Sequence, residues 1–326
     1  MSAARDLAAR TRLAFRHRGV AGVARRALST PIRATPLGSR LFPEPMGEEH
    51  EKAVEWFAEH GRPVTVLVPV AAGRREAGAT LRSVKRTTRG LPVTVRPVRG
   101  GPSALDAALR TAAGDAVVLQ PEVIVHGGWL EMLQEAAYKV DERAAVSARE
   151  LDGEGRVVSV GVGRDPRRPG AFSDRYAGRP ADHPPAEADV PVLAPSAGCL
   201  YLRGDALDRL GALDPELTGP WAPVDFGLRA WNAGLQVISH APVSVTRLGT
   251  APARGEDDRF WERWGAWLDA RDVRSPSGGL RIAYVTEDTG IGGGHRVVFE
   301  HLNRLAARGH EPVLFALDGP PDWFDL

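Results

Sequence analysis

The chain has 326 residues, 43% hydrophobic and 25% charged, with a formal net charge of +1. That composition fits one large or two smaller globular domains, and the near-neutral balance gives no bulk argument for nucleic acid as a partner. The single cysteine, Cys199, excludes a disulfide framework within the chain, and no apolar run approaches the roughly 20 residues of a membrane span.

The first forty residues carry nine arginines against one acid, Asp6. No apolar core follows, so this is not a signal peptide, and the cytoplasm is the expected location. Val20, Val23, Ala24, Ala27 and Leu28 share one helical face with Arg25 and Arg26 off it. Such a basic amphipathic helix either makes peripheral contact with the inner face of the plasma membrane or packs, solvated, on the domain behind it. Prolines and glycines between Pro31 and Gly47 then break the chain.

The pattern next predicts a helix over Glu48 to His60, a buried strand over Val64 to Val70, a helix over Ala77 to Thr87 and a strand over Val93 to Val98. A helix over Ser103 to Ala113 with Ser103 as N-cap, a strand over Ala116 to Leu119, a helix over Trp129 to Val140 and a strand over Val157 to Val162 follow. This alternation predicts an α/β fold with a parallel sheet. Residues 163–190, rich in Pro, Gly, Arg and Asp, predict a long loop. Beyond it come a strand at Gly198 to Leu202, helices at Asp205 to Leu210 and Pro223 to Ala233, and strands near Val237 and Val243. Trp261, Trp264 and Trp267 lie three apart and read as core or domain-contact residues.

Ser275-Pro-Ser-Gly-Gly279 marks a boundary. Beyond it a strand to Val285, a glycine-rich turn, a helix to Arg308 with Gly309 as C-cap and a strand at Val313 to Leu317 make one βαβ unit, right-handed by rule. The expected organisation is a basic helical extension (1–60), a main domain (61–270), a linker (271–279) and the βαβ segment (280–326). One βαβ unit leaves sheet faces open, so that segment is expected either to dock on the first domain or to be the front of a larger unit.

Five stretches, in order, carry a resemblance over about residues 62–250. They are the strand Val64 to Val70; Asp106-Ala-Ala-Leu-Arg-Thr-Ala-Ala-Gly-Asp-Ala-Val-Val-Leu119; His126-Gly-Gly-Trp-Leu130; Ser196-Ala-Gly-Cys-Leu-Tyr-Leu-Arg203; and Val224-Asp-Phe-Gly-Leu-Arg229 followed by Ala233-Gly234. This order resembles family 2 glycosyltransferases. The resemblance implies a GT-A fold and a nucleoside diphosphate sugar as donor. It implies a divalent cation, Mg2+ or Mn2+, held by carboxylates to neutralise the leaving diphosphate, and a further carboxylate that deprotonates the acceptor hydroxyl. Carried over by position, Pro69, Asp115 and Glu122 are donor-binding, Glu122 is the metal ligand and Asp225 the catalytic base. The chain departs from the family at the metal loop, Leu119-Gln-Pro-Glu-Val-Ile124, which holds one acid. No acid follows the shortened second strand, Ala222-Pro223 replaces the first position of the acidic pair, and Thr246-Arg-Leu-Gly-Thr250 lacks the family's histidine. Plainer roles stand beside these. Asp225 can complement a helix dipole or pair with Arg229 at i, i+4, Glu122 can be a solvated loop acid, Asp115 can cap a turn, and Cys199 reads as a small buried hydrophobe.

The second segment, Leu280-Arg-Ile-Ala-Tyr-Val-Thr286 with Gly290-Ile-Gly-Gly-Gly-His295 and the helix to Arg308, resembles the start of family 4 glycosyltransferases, of GT-B fold, over about 45 residues. Gly292, Gly293, Gly294 and His295 then form an expected phosphate-binding loop at a helix N-terminus, although His295 also reads as a loop contact. A dinucleotide fingerprint fails here, because its last glycine would fall at His295. The function expected from both resemblances is transfer of a sugar to a growing cell-surface glycan or lipid-linked acceptor, with no nucleic acid partner. The alternative is a non-catalytic GT-A-like scaffold attached to a family 4 enzyme.

Overall fold

The computed structural model of the chain describes residues 48–70, 77–165, 171–217, 219–251, 254–271 and 279–326. The basic stripe at residues 20–28 and most of the Ser275–Gly279 boundary lie outside the described residues. The chain divides into two compact units, residues 1–51 and 52–326, and the second holds the sheet.

Its core is a nine-stranded mixed sheet with two groups of parallel strands. After helix α1 (Glu48–His60) come β1 (Val64–Pro69), α2 (Ala77–Thr87), β2 (Val93–Val98), α3 (Gly101–Arg110) and β3 (Asp115–Leu119). Then follow β4 (Val123–Ile124), α4 (Trp129–Tyr138), β5 (Arg143–Leu151), β6 (Val157–Ser159), β7 (Val162–Arg164), β8 (Phe172–Asp174) and β9 (Val190–Pro191). The unit continues with β10 (Cys199–Leu202), α5 (Gly204–Leu210), α6 (Trp221–Asn232), β11 (Gln236–Arg247) and α7 (Asp258–Asp269). Strand order is β2-β1-β3-β10-β5-β11-β4, with β6 on β5 and β9 on β11. β1, β2 and β3 run parallel, as do β5 and β11, while β10 runs antiparallel between β3 and β5.

Alternation of side chains sorts these strands between two apolar layers. Leu67, Val118, Leu200 and Leu202 join the layer of α3, α5, α6 and α7. Val66, Val68, Val117, Leu119 and Tyr201 join the layer of α2 and α4. A buried strand covered on both faces is apolar throughout, which explains the run in β1 and β3. Phe260, Trp264 and Leu268 are buried in the first layer, with Trp261 and Trp267 packed against it.

Several local expectations are corrected. The third helix starts at Gly101, because Gly100 at φ 106 turns the chain and Pro102 occupies the first turn; Ser103 is not the cap. The strand expected over Val157 to Val162 is split at Gly161, whose φ is 76 and whose added Cβ would lie 2.6 Å from Val192. The long loop contains the β7–β8 hairpin and β9. The two strands expected near Val237 and Val243 are one, β11, with a register shift between His240 and Ser244 around Pro242.

Residues 279–326 form a separate two-stranded parallel sheet, β12 (Arg281–Thr286) and β13 (Glu311–Ala316), joined by α8 (Gly293–Ala307). Phe299 and Leu302 of α8 are buried. Val285, Val313, Phe315 and Leu317 are exposed. The last helix is capped by Arg308, with Gly309 at φ 81 one residue further on.

Candidate functional site at the carboxyl edge of the sheet

In an open α/β sheet, ligands bind beyond the carboxyl ends of the parallel strands, where backbone amides and loop side chains converge. Here that edge gathers the ends of β1, β3, β5 and β11 and the entry into β10. Pro69 ends β1 two residues beyond the Leu67–Val118 pair, and so lies level with Gln120. The Gln120 N–H donates to Gly198 O at 2.9 Å, Val123 N–H donates to Gln120 O at 3.3 Å, and Leu248 N–H donates to Glu122 O at 2.8 Å. The loop after β3 is thus tied to both neighbouring strands.

Glu122 sits at φ 69, a left-handed conformation that costs a non-glycine residue on the order of 1–3 kcal/mol and concentrates at functional sites. Its carboxylate occupies the notch left by Gly249, where an added Cβ would lie 2.1 Å from Glu122 Oε2. Beside it, His126 Nε2 and Thr246 Oγ1 are 3.0 Å apart.

Beneath the loop lies a feature the sequence reading missed. Arg247 and Glu150 are 5% and 2% exposed and form an ion pair, Nη2 to Oε2 at 2.6 Å and Nε to Oε2 at 2.8 Å. Glu150 Oε1 also accepts the Gly198 N–H at 2.6 Å. The pair therefore locks the ends of β5 and β11 to the entry of β10. Only pairing of the two strands, distant in sequence, makes the contact, so no local motif signals it. The neighbouring Cys199 thiol is fully buried; desolvation, then the Glu150 charge, push its pKa well above the usual value.

The other expected site residues lie elsewhere. Asp115 opens β3, about 13 Å of strand from Leu119 and at the opposite edge of the sheet. It is buried and accepts from Tyr138 OH at 2.8 Å, Tyr201 OH at 2.5 Å, Gln134 Nε2 at 3.3 Å and Gly204 N–H at 2.7 Å. Burial, with the Asp115 charge second, raises both tyrosine pKa values. This is the anchor of the sheet's lower edge, so the geometry replaces the expected donor contact with a structural role.

Asp225 is 0% exposed. Its Oδ2 accepts from Arg229 Nε at 2.7 Å, and its Oδ1 accepts from Arg263 Nη1 at 2.8 Å and Trp264 Nε1 at 2.9 Å. Arg229 also donates to Leu210 O and Ala212 O at the end of α5, and Arg263 pairs with Asp214. The network joins α5, α6 and α7. A carboxylate so enclosed presents no face to an acceptor hydroxyl, and the expectation of a base at Asp225 is corrected on that ground.

The glycine loop of the βαβ segment stands on its own sheet. Gly292 is the N-cap of α8, followed by Gly293 and Gly294. His295 Nδ1 lies 3.0 Å from Gly290 O and Nε2 lies 3.5 Å from Asp288 Oδ1, while the ring stacks on Phe299. Those partners hold the turn closed on itself.

For a divalent cation, no group of three or more His, Cys, Asp and Glu side chains comes together among the described residues. A single carboxylate such as Glu122 still suits Mg2+ or Mn2+ when phosphate oxygens and water supply the remaining ligands. Among the described residues no helix is long and apolar enough to cross a membrane.

No protein-family model matches the chain, and no curated protein matches it. Among solved structures it is similar to GalNAc-T7 with UDP, GalNAc and Mn2+, at 13% identity and TM-score 0.44, over 64% of this chain and 49% of that one. It is also similar to the mannosyltransferase PcManGT from Pyrobaculum calidifontis in complex with GDP-Man and Mn2+, at 16% identity and TM-score 0.41, over 76% and 72%. A mycobacterial protein matches at 16% identity and TM-score 0.41, over 73% and 83%. The match thus spans about half the length of GalNAc-T7. Likeness at these scores says nothing about what this chain binds.

Proposed function

We propose that the main domain is a GT-A-like glycosyltransferase that takes a sugar from a nucleoside diphosphate sugar bound at the carboxyl edge of the sheet. The observation that supports this most is Glu122, an acid in a strained backbone conformation, with its carboxylate seated against Gly249 in the loop that follows β3. Glu122 would hold the divalent cation. When bound, that cation supplies charge neutralisation for the departing diphosphate. Pro69 and Gln120 shape the floor beside it, and the Glu150–Arg247 pair fixes the height of the loop. In this reading Asp225 holds α6 in place and takes no proton. The acceptor is a growing cell-surface glycan or a lipid-linked one, and the protein works in the cytoplasm at the inner face of the plasma membrane.

A second reading has support of its own. The loop carries one carboxylate where the resemblance implies two, which suits a GT-A-like scaffold that binds a partner or acceptor without turnover. Nucleotide release separates the two. Incubating the chain with UDP-, dTDP- and GDP-sugars and Mn2+ should release nucleoside diphosphate, and Glu122→Gln should lower that rate roughly hundredfold or more. Binding of a donor without release from any of them would favour the scaffold.

A further inference from the structure

Residues 77–105 contain Arg82, Lys85, Arg86, Arg89, Arg96 and Arg99, and no Asp, Glu, Asn, Gln, His or aromatic residue. All six cations are exposed. None belongs to an ion pair among the described residues. Arg110, Arg203, Arg229, Arg247 and Arg254 have carboxylate partners, whereas Arg62, Arg143, Arg175, Arg209 and Arg271 bond instead to backbone carbonyls or lie over aromatic rings.

The placement is ordered. Arg82, Lys85, Arg86 and Arg89 fall at i, i+3, i+4 and i+7, one stripe that runs along α2 and past its end, opposite the buried Ala77, Thr80 and Val84. Arg96 lies on β2, the last strand of the sheet, and Arg99 just beyond it. Arg96 pairs with Leu67 and so faces the α3 layer, away from α2, which leaves the four cations on α2 and just past its end as the continuous stripe, about 10 Å long. Two plainer explanations fall short. Protection of an open edge accounts for Pro92, Arg96 and Pro97, but not for the helix stripe. A merely solvated face mixes both signs of charge. Here Arg82 with Arg86 is a like-charged pair at i, i+4, which weakens a helix. A local rule is broken along one face, as happens where a surface has work to do.

We propose that the outer face of α2, with Arg82, Lys85, Arg86 and Arg89, is an electrostatic docking surface for anionic lipid headgroups. The chemistry favours a lipid surface over nucleic acid. The stretch offers no aromatic side chain on which a base could stack and no Asn or Gln to read a base edge. It offers an array of guanidinium groups on the outer face of a helix, which neutralises phosphates arrayed on a surface without needing a specific pose. α2 meets the segment after Glu122 through Ser83 on its buried side, and vesicle binding is read without nucleotide, so failure of this proposal leaves the sugar-transfer reading untouched.

The test uses the full chain and co-sedimentation with vesicles of phosphatidylcholine alone, or of equal parts phosphatidylglycerol and phosphatidylcholine. Two triple variants remove the same charge: Arg82→Gln, Arg86→Gln and Arg89→Gln on the patch, and Arg296→Gln, Arg304→Gln and Arg308→Gln on α8. The patch variant relieves the Arg82/Arg86 like-charge pair and should unfold no earlier than the parent. The parent should bind only the anionic vesicles, less so as salt rises. At about five-fold per charge, the patch variant should bind about 100-fold more weakly, and the α8 variant within about five-fold of the parent. Equal loss in both variants, no loss in the patch variant, or tighter binding of the parent to polyuridylate than to anionic vesicles would overturn the proposal.

Discussion

Replacing Arg247 by Met would leave the Glu150 carboxylate buried without its cation. Glu150 is 2% exposed and has two protein partners, the Arg247 guanidinium and the Gly198 N–H. Water cannot reach it to compensate, so the loss should approach the about 3–5 kcal/mol typical of a broken buried pair. Against a total stability of roughly 5–15 kcal/mol this is a large fraction. A second variant, Arg247→Met with Glu150→Gln, removes the charge yet keeps an acceptor for Gly198. It should return to within about 1–2 kcal/mol of the parent. Urea unfolding followed by tryptophan fluorescence measures both, with unchanged slopes showing that native and unfolded states are comparable. The reasoning fails if Arg247→Met alone costs less than about 1 kcal/mol, or if the double variant is no more stable than the single one.

Asp225→Asn should destabilise by roughly 2–4 kcal/mol, less than a fully enclosed pair because Arg263 is partly exposed, while the rate of sugar transfer per folded molecule stays near that of the parent. A drop of about 100-fold in kcat with the protein folded would restore a proton-transfer role. Gly249→Ala should displace the Glu122 carboxylate and weaken metal-dependent nucleotide binding with little loss of fold, since the built Cβ meets a side-chain end and not the backbone; calorimetry with and without Mn2+ reads this, and unchanged affinity would contradict it. The raised pKa of Cys199 keeps its thiol protonated in the native state at pH 8, so an aromatic disulfide reagent should label it only as fast as the protein unfolds. Rapid labelling without denaturant would show that the β10 entry is open.

Strands with local signals were legible and those without were not. β1 and β3 are short apolar β-branched runs, and α2 runs over the predicted Ala77 to Thr87. The central strand β5, Arg-Ala-Ala-Val-Ser-Ala-Arg-Glu-Leu, has small residues and three charged side chains, so neither hydrophobic run nor alternation marks it. Its burial follows from neighbours β10 and β11, which supply the apolar bulk. The same blindness applied to the site. Glu122 could be placed because a loop between a strand and a Gly-Gly-Trp helix start is local. Glu150 and Arg247 could not, since 97 residues separate them. Asp225 illustrates the opposite error. Its helix pattern matched well, but the pattern contains no information that Arg263 and Trp264, on another helix, would fill the space around its carboxylate.

The central claim is that a nucleoside diphosphate binds at the Glu122 loop through a divalent cation. Calorimetric titration of UDP, dTDP and GDP into the parent and into Glu122→Gln, with and without Mn2+, tests it most directly. The account predicts weak binding of at least one nucleotide that Mn2+ strengthens, and a loss of about 10–100-fold in the Mn2+-supported affinity on Glu122→Gln, the size of one charge-assisted contact. Nucleotide affinity that is the same with and without Mn2+, and the same in Glu122→Gln as in the parent, would contradict it.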